Sequence, residues 1–332
     1  MDILTQGLLG GVLAQSVANK EEKKLASFIG IISGFLADAD ILISSSSDPL
    51  LNIEYHRHFT HSVFFIPIGA AIALVLLWPF LKSRISTGRL YLYCLAGYSM
   101  SGVLDACTSY GTHLFWPLSD ERVAFNIISI IDPLFTFILL VALLLGLRFK
   151  SKRLAHMGLL LCSVYLALGF VQSQRAQTIA QDLIQKRGHV AVKHIVKPTL
   201  ANAVLWRSVY MFDNRIYVDA VRVGFIGDNK IYEGESVKKM VTQQDLPKLD
   251  PSSLLHADIQ RFIKFSDGFI AFDPSQKNVL GDMRYSMLPV SVKPLWGIAI
   301  NSDHPQNHAD YRFFRDSSNE VRQKFINMLL GR

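Results

Sequence analysis

Glu54-Tyr55-His56-Arg57-His58-Phe59-Thr60-His61-Ser62 sets three imidazoles, a guanidinium and two hydroxyls against the start of a long apolar run. Polar density of that kind at a membrane boundary is costly unless it binds something. Shortly before it, Leu36-Ala37-Asp38-Ala39-Asp40-Ile41-Leu42-Ile43 places two carboxylates inside another apolar run, and Gly102-Val103-Leu104-Asp105 places a third. These three places are expected to converge on one metal site.

The composition around them is that of a membrane protein in the first half. Of the 332 residues, 50% are hydrophobic and only 18% charged, and mean hydropathy is +0.26. Apolar runs of about 17 to 22 residues meet the length needed to cross a bilayer core. They lie at Ile3 to Ala18, Leu25 to Ile43, Val63 to Leu81, Leu90 to Cys107, Ile127 to Leu147 and Leu154 to Val171; the first is short for a span, so it reads as a tilted helix or one tucked into the bundle. The expected fold is therefore an α-helical membrane bundle of about six helices over residues 1–172, followed by a smaller α+β soluble domain over 173–332. No cleavable signal peptide is expected, because Met1-Asp2 lacks a basic start. Cys94, Cys107 and Cys162 fall in apolar segments and read as small packing residues. The net charge of +7 comes without a compact basic cluster with interleaved aromatics, which argues against nucleic acid as a partner.

Loop charge predicts orientation, because short cytoplasmic loops carry the excess of Lys and Arg. The turns after the first, third and fifth runs hold ten: Lys20, Lys23, Lys24, Lys82, Arg84, Arg89, Arg148, Lys150, Lys152 and Arg153. The turns after the second and fourth hold two, Arg57 and Arg122. The His-rich loop, the loop Thr108 to Asn126 and the C-terminal domain are thus expected on the non-cytoplasmic face. In that domain Val190 to Val196, Val204 to Phe212, Ile216 to Phe225 and Ser286 to Val292 resemble strands, with turns at Asp213-Asn214 and Gly227-Asp228-Asn229. Leu254 to Phe265 and Tyr311 to Leu330 have amphipathic helical spacing.

The chemistry of the polar residues favours a cation. Asp38 and Asp40 fall near the end of a presumed helix, where the backbone dipole disfavours carboxylates and a divalent ion would remove the objection. Because residues two apart point to different sides of a helix, both can face one ion only if the helix ends there. His56 and His61 are five apart, too far for one helical face, so His56 is expected in a loop and His61 in the first turn of the third helix, with Thr60 as its N-cap. Imidazole and carboxylate together suit a hydrolytic ion, zinc or manganese, that keeps a position for water. Arg57 matches an anionic substrate oxygen. Tyr98, Ser101, Asp105 and Thr108 or Ser109 form a polar stripe on the fourth helix, whereas Asp132 before Pro133 is fully explained as a helix N-cap. A bland alternative is an interfacial cluster that binds lipid headgroups, metal or a protein partner without chemistry.

These stretches resemble the membrane-bound metal-dependent hydrolases, also labelled LexA-binding, inner-membrane-associated hydrolases. The resemblance rests on Met1 to Gln6, Leu36 to Asp40, His56 to Ser62 and the long Leu104 to Asp120, with Ile131-Asp132-Pro133-Leu134 and Leu205-Trp206-Arg207 matching longer members. It implies a metal-dependent hydrolase of the bacterial inner membrane, with Asp38, Asp40, His56, His61 and Asp105 at the family's polar positions. Three positions depart from the family pattern: Ala37 replaces a proline, His58 a glycine, and Ser101 a histidine. On this reading the five residues hold a divalent ion, Arg57 stabilises charge on the substrate and His58 shuttles a proton. The substrate is expected to be a lipid or lipid-linked ester or phosphoester. A LexA partnership, implied only by the label, sits poorly with three short cytoplasmic loops.

Overall fold

The computed structural model describes residues 1–225 and 228–332, with the side chain of Gln243 outside that set. The chain divides into two compact units. One comprises Met1–Ile43, Tyr55–Val171 and Leu200–Asn202; the other comprises Ser44–Glu54, Gln172–Thr199 and Ala203–Arg332.

The first unit is helical. In chain order its helices are α1 (Ile3–Val17) and α2 (Lys23–Leu36), which runs on into a 3-10 segment at Ala37–Leu42. Then come the short α3 (Leu51–Tyr55), which spans the division between the units, and α4 (Ile66–Leu81). After these follow α5 (Thr87–Tyr98), α6 (Ser101–Ala106), α7 (Pro133–Arg148) and the 35-residue α8 (Lys152–Lys186), which continues past Val171 into the second unit. Asp132 caps α7 as its sequence suggests, accepting from Phe135 N at 3.1 Å with Pro133 in the first turn. Helices α1 and α2 cross at Gly10 and Gly30, where a methyl on Gly10 would lie 2.3 Å from the Gly30 carbonyl oxygen. Small residues at such a crossing let two backbones meet, the usual means of packing helices in lipid.

Six spanning helices are expected, but three are long and apolar enough to cross a membrane among the described residues: Lys23–Leu42, Val63–Leu81 and Lys152–Lys186. The physical reason is length. At 1.5 Å per residue, the 15 residues of α1 and 16 of α7 reach about 22–24 Å, short of a hydrocarbon core of about 30 Å. The fourth apolar run is not one helix either, because it breaks between Tyr98 and Ser101 into α5 and α6. Large apolar side chains stand exposed along α4 (Ile72, Val75, Phe80), α7 (Phe137, Leu144) and α8 up to Val171. Such surface suits lipid rather than water.

The second unit holds two four-stranded antiparallel sheets, each in sequential order. The first contains β1 (Lys193–Pro198), β2 (Leu205–Phe212), β3 (Arg215–Arg222) and β4 (Lys230–Lys238); the second contains β5 (Ile270–Asp273), β6 (Gln276–Asp282), β7 (Trp296–Ala299) and β8 (Asp310–Phe313). Helices α9 (Thr242–Asp245), α10 (Leu254–Phe265) and α11 (Asn319–Leu330) complete it. The β2–β3 hairpin turns at Asp213 and Asn214, with φ of 47° and 56°, the left-handed pair that a two-residue turn needs. Of the other expected turn, Gly227 lies outside the described residues. Ser286 to Val292 is a loop and not a strand, and Tyr311 belongs to β8, so the last helix begins only at Asn319. Two residues from far upstream, Leu50 and Ile53, are buried in this unit's core with Leu255, Ile259, Phe262, Ile270, Leu280 and Ile298.

Candidate metal centre

Asp38, His61 and Asp105 come together, all buried, from three separate parts of the first unit. Asp38 lies in the 3-10 segment after α2, His61 in a 3-10 turn at Phe59–His61, and Asp105 in α6. The helix break expected near the first aspartates is thus present as a tightening from α-helix to 3-10. His61 does not start a helix, and Thr60 does not cap one; α4 begins at Ile66, and Ser62 caps the intervening turn by accepting from Phe64 N at 3.1 Å. The reason is that Thr60 is committed elsewhere.

His61 Nε2 lies 3.3 Å from Asp38 Oδ1 and 3.1 Å from Asp105 Oδ2. None of these three atoms makes a hydrogen bond of good geometry, although all are out of water. Although Asp105 Oδ2 is also ion-paired with Arg57, buried polar atoms without a well-formed hydrogen bond are costly and call for an explanation. The other face of the imidazole supplies part of it. Thr60 Oγ1 donates its one proton to Asp40 Oδ2 at 2.7 Å and lies 3.0 Å from His61 Nδ1. Having given that proton away, the hydroxyl can only accept from Nδ1–H. The proton of the neutral ring therefore sits on Nδ1, and the Nε2 lone pair faces Asp38 and Asp105.

Asp40 and His56 stand one layer further out. Asp40 Oδ1 lies 2.9 Å from His56 Nδ1, and Oδ2 accepts from Arg57 N at 2.8 Å and lies 3.3 Å from His61 Nδ1. The five expected ligands thus divide into a converging set of three and a supporting pair. Carboxylates behind a ligating imidazole usually fix its tautomer and angle.

Arg57 is buried and its guanidinium faces the protein. Nε lies 2.9 Å from Asp105 Oδ2, Nη1 donates to Thr108 Oγ1 at 3.1 Å and Nη2 to the Met1 carbonyl at 3.3 Å. The other oxygen of Asp105 is paired with the Met1 α-ammonium. This arrangement holds Asp105 in place, a different task from the substrate contact expected of Arg57. Its backbone has φ of 61°, which costs a non-glycine residue about 1–2 kcal/mol. The cost is offset locally, since Arg57 N bonds to Asp40 and its carbonyl accepts from His113 N and Thr112 Oγ1, each at 3.1 Å.

His58 stays apart from the converging set. Its ring lies 4.4 Å from that of His113 and 5.6 Å from that of Trp116, in an aromatic rim that also includes Phe59. Burial, with Arg122 and His58 adding to it, pushes the His113 imidazole down to about 4, so that it is neutral near pH 7. Tyr98, on the polar stripe, donates to the Thr60 carbonyl at 2.7 Å. Sequence reasoning missed Gly102: a methyl there would lie 1.9 Å from the His61 carbonyl oxygen. Only glycine lets α6 approach His61 this closely, and its place one turn before Asp105 was the available signal.

Residues 1–176 match the family model of the YdjM inner membrane protein. Over 100 residues the chain is 35% identical to the inner membrane protein YbcI of Escherichia coli (strain K12). That stretch is 29% of this chain and 55% of the relative, so the chain spans about half the length of the curated protein it matches. No solved structure matches it.

Proposed function

The chain belongs to the YdjM inner membrane protein family, and from its buried carboxylate and imidazole cluster we propose that it is a membrane-embedded, metal-dependent hydrolase. The observation that carries this reading is the convergence of Asp38 Oδ1, His61 Nε2 and Asp105 Oδ2 without hydrogen bonds among them. His61 Nε2 lies 3.3 and 3.1 Å from the two carboxylate oxygens, close to the edge of a tetrahedron with metal–ligand bonds near 2.0 Å, which is about 3.3 Å. The donor set, two carboxylates and one imidazole, suits zinc or manganese. Three protein ligands leave a further position for water or substrate, the pattern of catalytic rather than structural sites.

When bound, a divalent ion supplies Lewis acidity and lowers the pKa of water. This chain's own residues do the remaining work. Asp40 and Thr60 hold His61 in the ligand-ready tautomer. Arg57 locks Asp105. His58, among the aromatic rings with His113 and Trp116, is our candidate for shuttling a proton. The position among apolar helices favours a lipid or lipid-linked ester or phosphoester as substrate, and membrane lipid as the immediate partner. The protein is multi-pass, with its C-terminal unit on the non-cytoplasmic side, as the loop charges imply.

The test is metal content. Detergent-purified wild type is expected to carry near-stoichiometric zinc or manganese, and Asp38→Ala and His61→Ala to lose it together with turnover of phospholipid or phosphodiester substrates. Wild-type protein that neither retains nor rebinds either metal would sink the hydrolase reading.

A further inference from the structure

The stretch between Asp40 and His56 does not stay with the unit that holds these two residues. Ser44–Glu54 belongs to the second unit, while Ile43 and Tyr55 at its ends belong to the first. The excursion is firmly tied at its far end. Leu50 and Ile53 are 2% and 8% exposed in the core formed with α10 and the second sheet. On α10, Arg261 donates from Nη1 to Asp48 Oδ1 at 3.0 Å, and from Nε and Nη2 to Glu54 Oε2 at 3.1 and 2.7 Å. Arg261 is itself braced by Asp258 at 3.1 Å, and Asp258 is held by His308 Nδ1 at 2.8 Å and by Ala309 N at 2.9 Å.

The near end is equally defined. Glu54 and Tyr55 are the last residues of α3, and His56 follows directly. His56 Nδ1 and Arg57 N both bind Asp40, and Asp40 sets the angle of His61. A continuous chain of bonds thus runs from Arg261 through Glu54 and α3 to the Asp40 pair. Fixing both ends of an eleven-residue excursion removes loop freedom that would otherwise be shared with His56 and Arg57.

We infer that Arg261 is a positioning residue for the candidate metal centre: by clamping Asp48 and Glu54 it restrains the Ser44–Glu54 loop, and the chain that continues directly into His56 and Arg57 is restrained with it. The inference rests on the metal-site reading above. The Asp48, Asp258 and His308 group, which has the composition of a second metal site, is on this account an ionic brace for Arg261.

The experiment compares full-length Arg261→Ala with Arg187→Ala in detergent. Arg187 makes an equally short pair of ion pairs in the same unit, with Asp219 at 2.7 Å and Glu233 at 2.8 Å, but does not touch the loop. Zinc affinity is read by chelator competition, and amide exchange over residues 55–62 by mass spectrometry. Arg261→Ala is expected to weaken zinc about tenfold at unchanged stoichiometry, the usual size of an outer-shell effect, and to speed exchange over 55–62. Arg187→Ala should do neither. Equal effects in both variants, or none in Arg261→Ala, would overturn the inference. If wild type binds no zinc, the hydrolase reading falls alone and the exchange data still decide: selective acceleration in Arg261→Ala sustains the clamp, and its absence refutes it.

Discussion

Thr60 has one proton, and its position decides what His61 can do. Because that proton goes to Asp40, the imidazole must protect Nδ1 and offer Nε2. Gly102 then decides whether Asp105 can meet that nitrogen. Gly102→Ala would force the His61 carbonyl from a 1.9 Å approach, so α6 or the 3-10 turn must move by more than an ångström. We expect Gly102→Ala to reduce metal affinity by at least tenfold while the helical circular dichroism of the protein is retained; affinity within twofold of wild type would show that α6 is not pinned by this contact. Asp38, His61 and Asp105 were legible in the sequence because ionisable groups inside apolar runs are expensive enough to need a purpose. The division of labour was not. Asp38 and Asp40 look equivalent until the 3-10 turn aims one at the cluster and the other at Thr60. The need for glycine at 102 depends on a neighbour distant in the chain, so its place one turn before Asp105 is the one local hint of it.

Elements were legible where a local signal fixed them. Asp132-Pro133 starts α7, and the amphipathic period gave α10 with both ends correct. Strands β2 and β3 have the largely buried stretches that mark a sheet centre, but β4, Lys-Ile-Tyr-Glu-Gly-Glu-Ser-Val-Lys, is half exposed and has no such pattern. Strands β5, β7 and β8 have only four residues each, too few for a period to register. Pairing can nevertheless be probed through His194 on β1. Its Nε2 lies 3.0 Å from Ser208 Oγ on β2, and burial lowers its pKa from 6.5 to about 4, with Asp219 opposing. A folded pKa below the unfolded one means that the unfolded chain binds more protons between these values. Stability is therefore complete above about pH 6.5 and falls as pH drops toward 4, by roughly 2–3 kcal/mol at most. Chemical denaturation from pH 7 to pH 4 should show this loss, and His194→Gln should flatten the part due to this residue; an unchanged acid limb in the variant would show that His194 titrates normally.

At the scale of the molecule, the sequence led to two consecutive domains, and the chain instead interleaves them by lending Ser44–Glu54 to the second unit. Nothing local announces this, because Leu50 and Ile53 are two apolar residues in a polar loop whose partners lie some 200 positions downstream. The side of the membrane proposed for the second unit can be tested through α8. Its first residues, Lys152 and Arg153, close a basic turn with Arg148 and Lys150, and its exposed apolar surface ends at Val171. Twenty residues of helix span about 30 Å, the thickness of the bilayer core, so α8 needs no other helix to reach the opposite face. On the proposed orientation the basic turn keeps the start of α8 in the cytoplasm, and its end, and with it Arg332, is expected on the other side. Alkaline phosphatase fused after Arg332 should therefore be active in intact bacteria, and a fluorescent protein fused there should be dark. This outcome is independent of whether α1 and α7 cross, because it depends on the charge at the start of α8. Replacing Arg148, Lys150, Lys152 and Arg153 by glutamine should lower the phosphatase signal as orientation becomes mixed. A bright fluorescent fusion with inactive phosphatase would place the second unit, and the Ser44–Glu54 loop that belongs to it, in the cytoplasm.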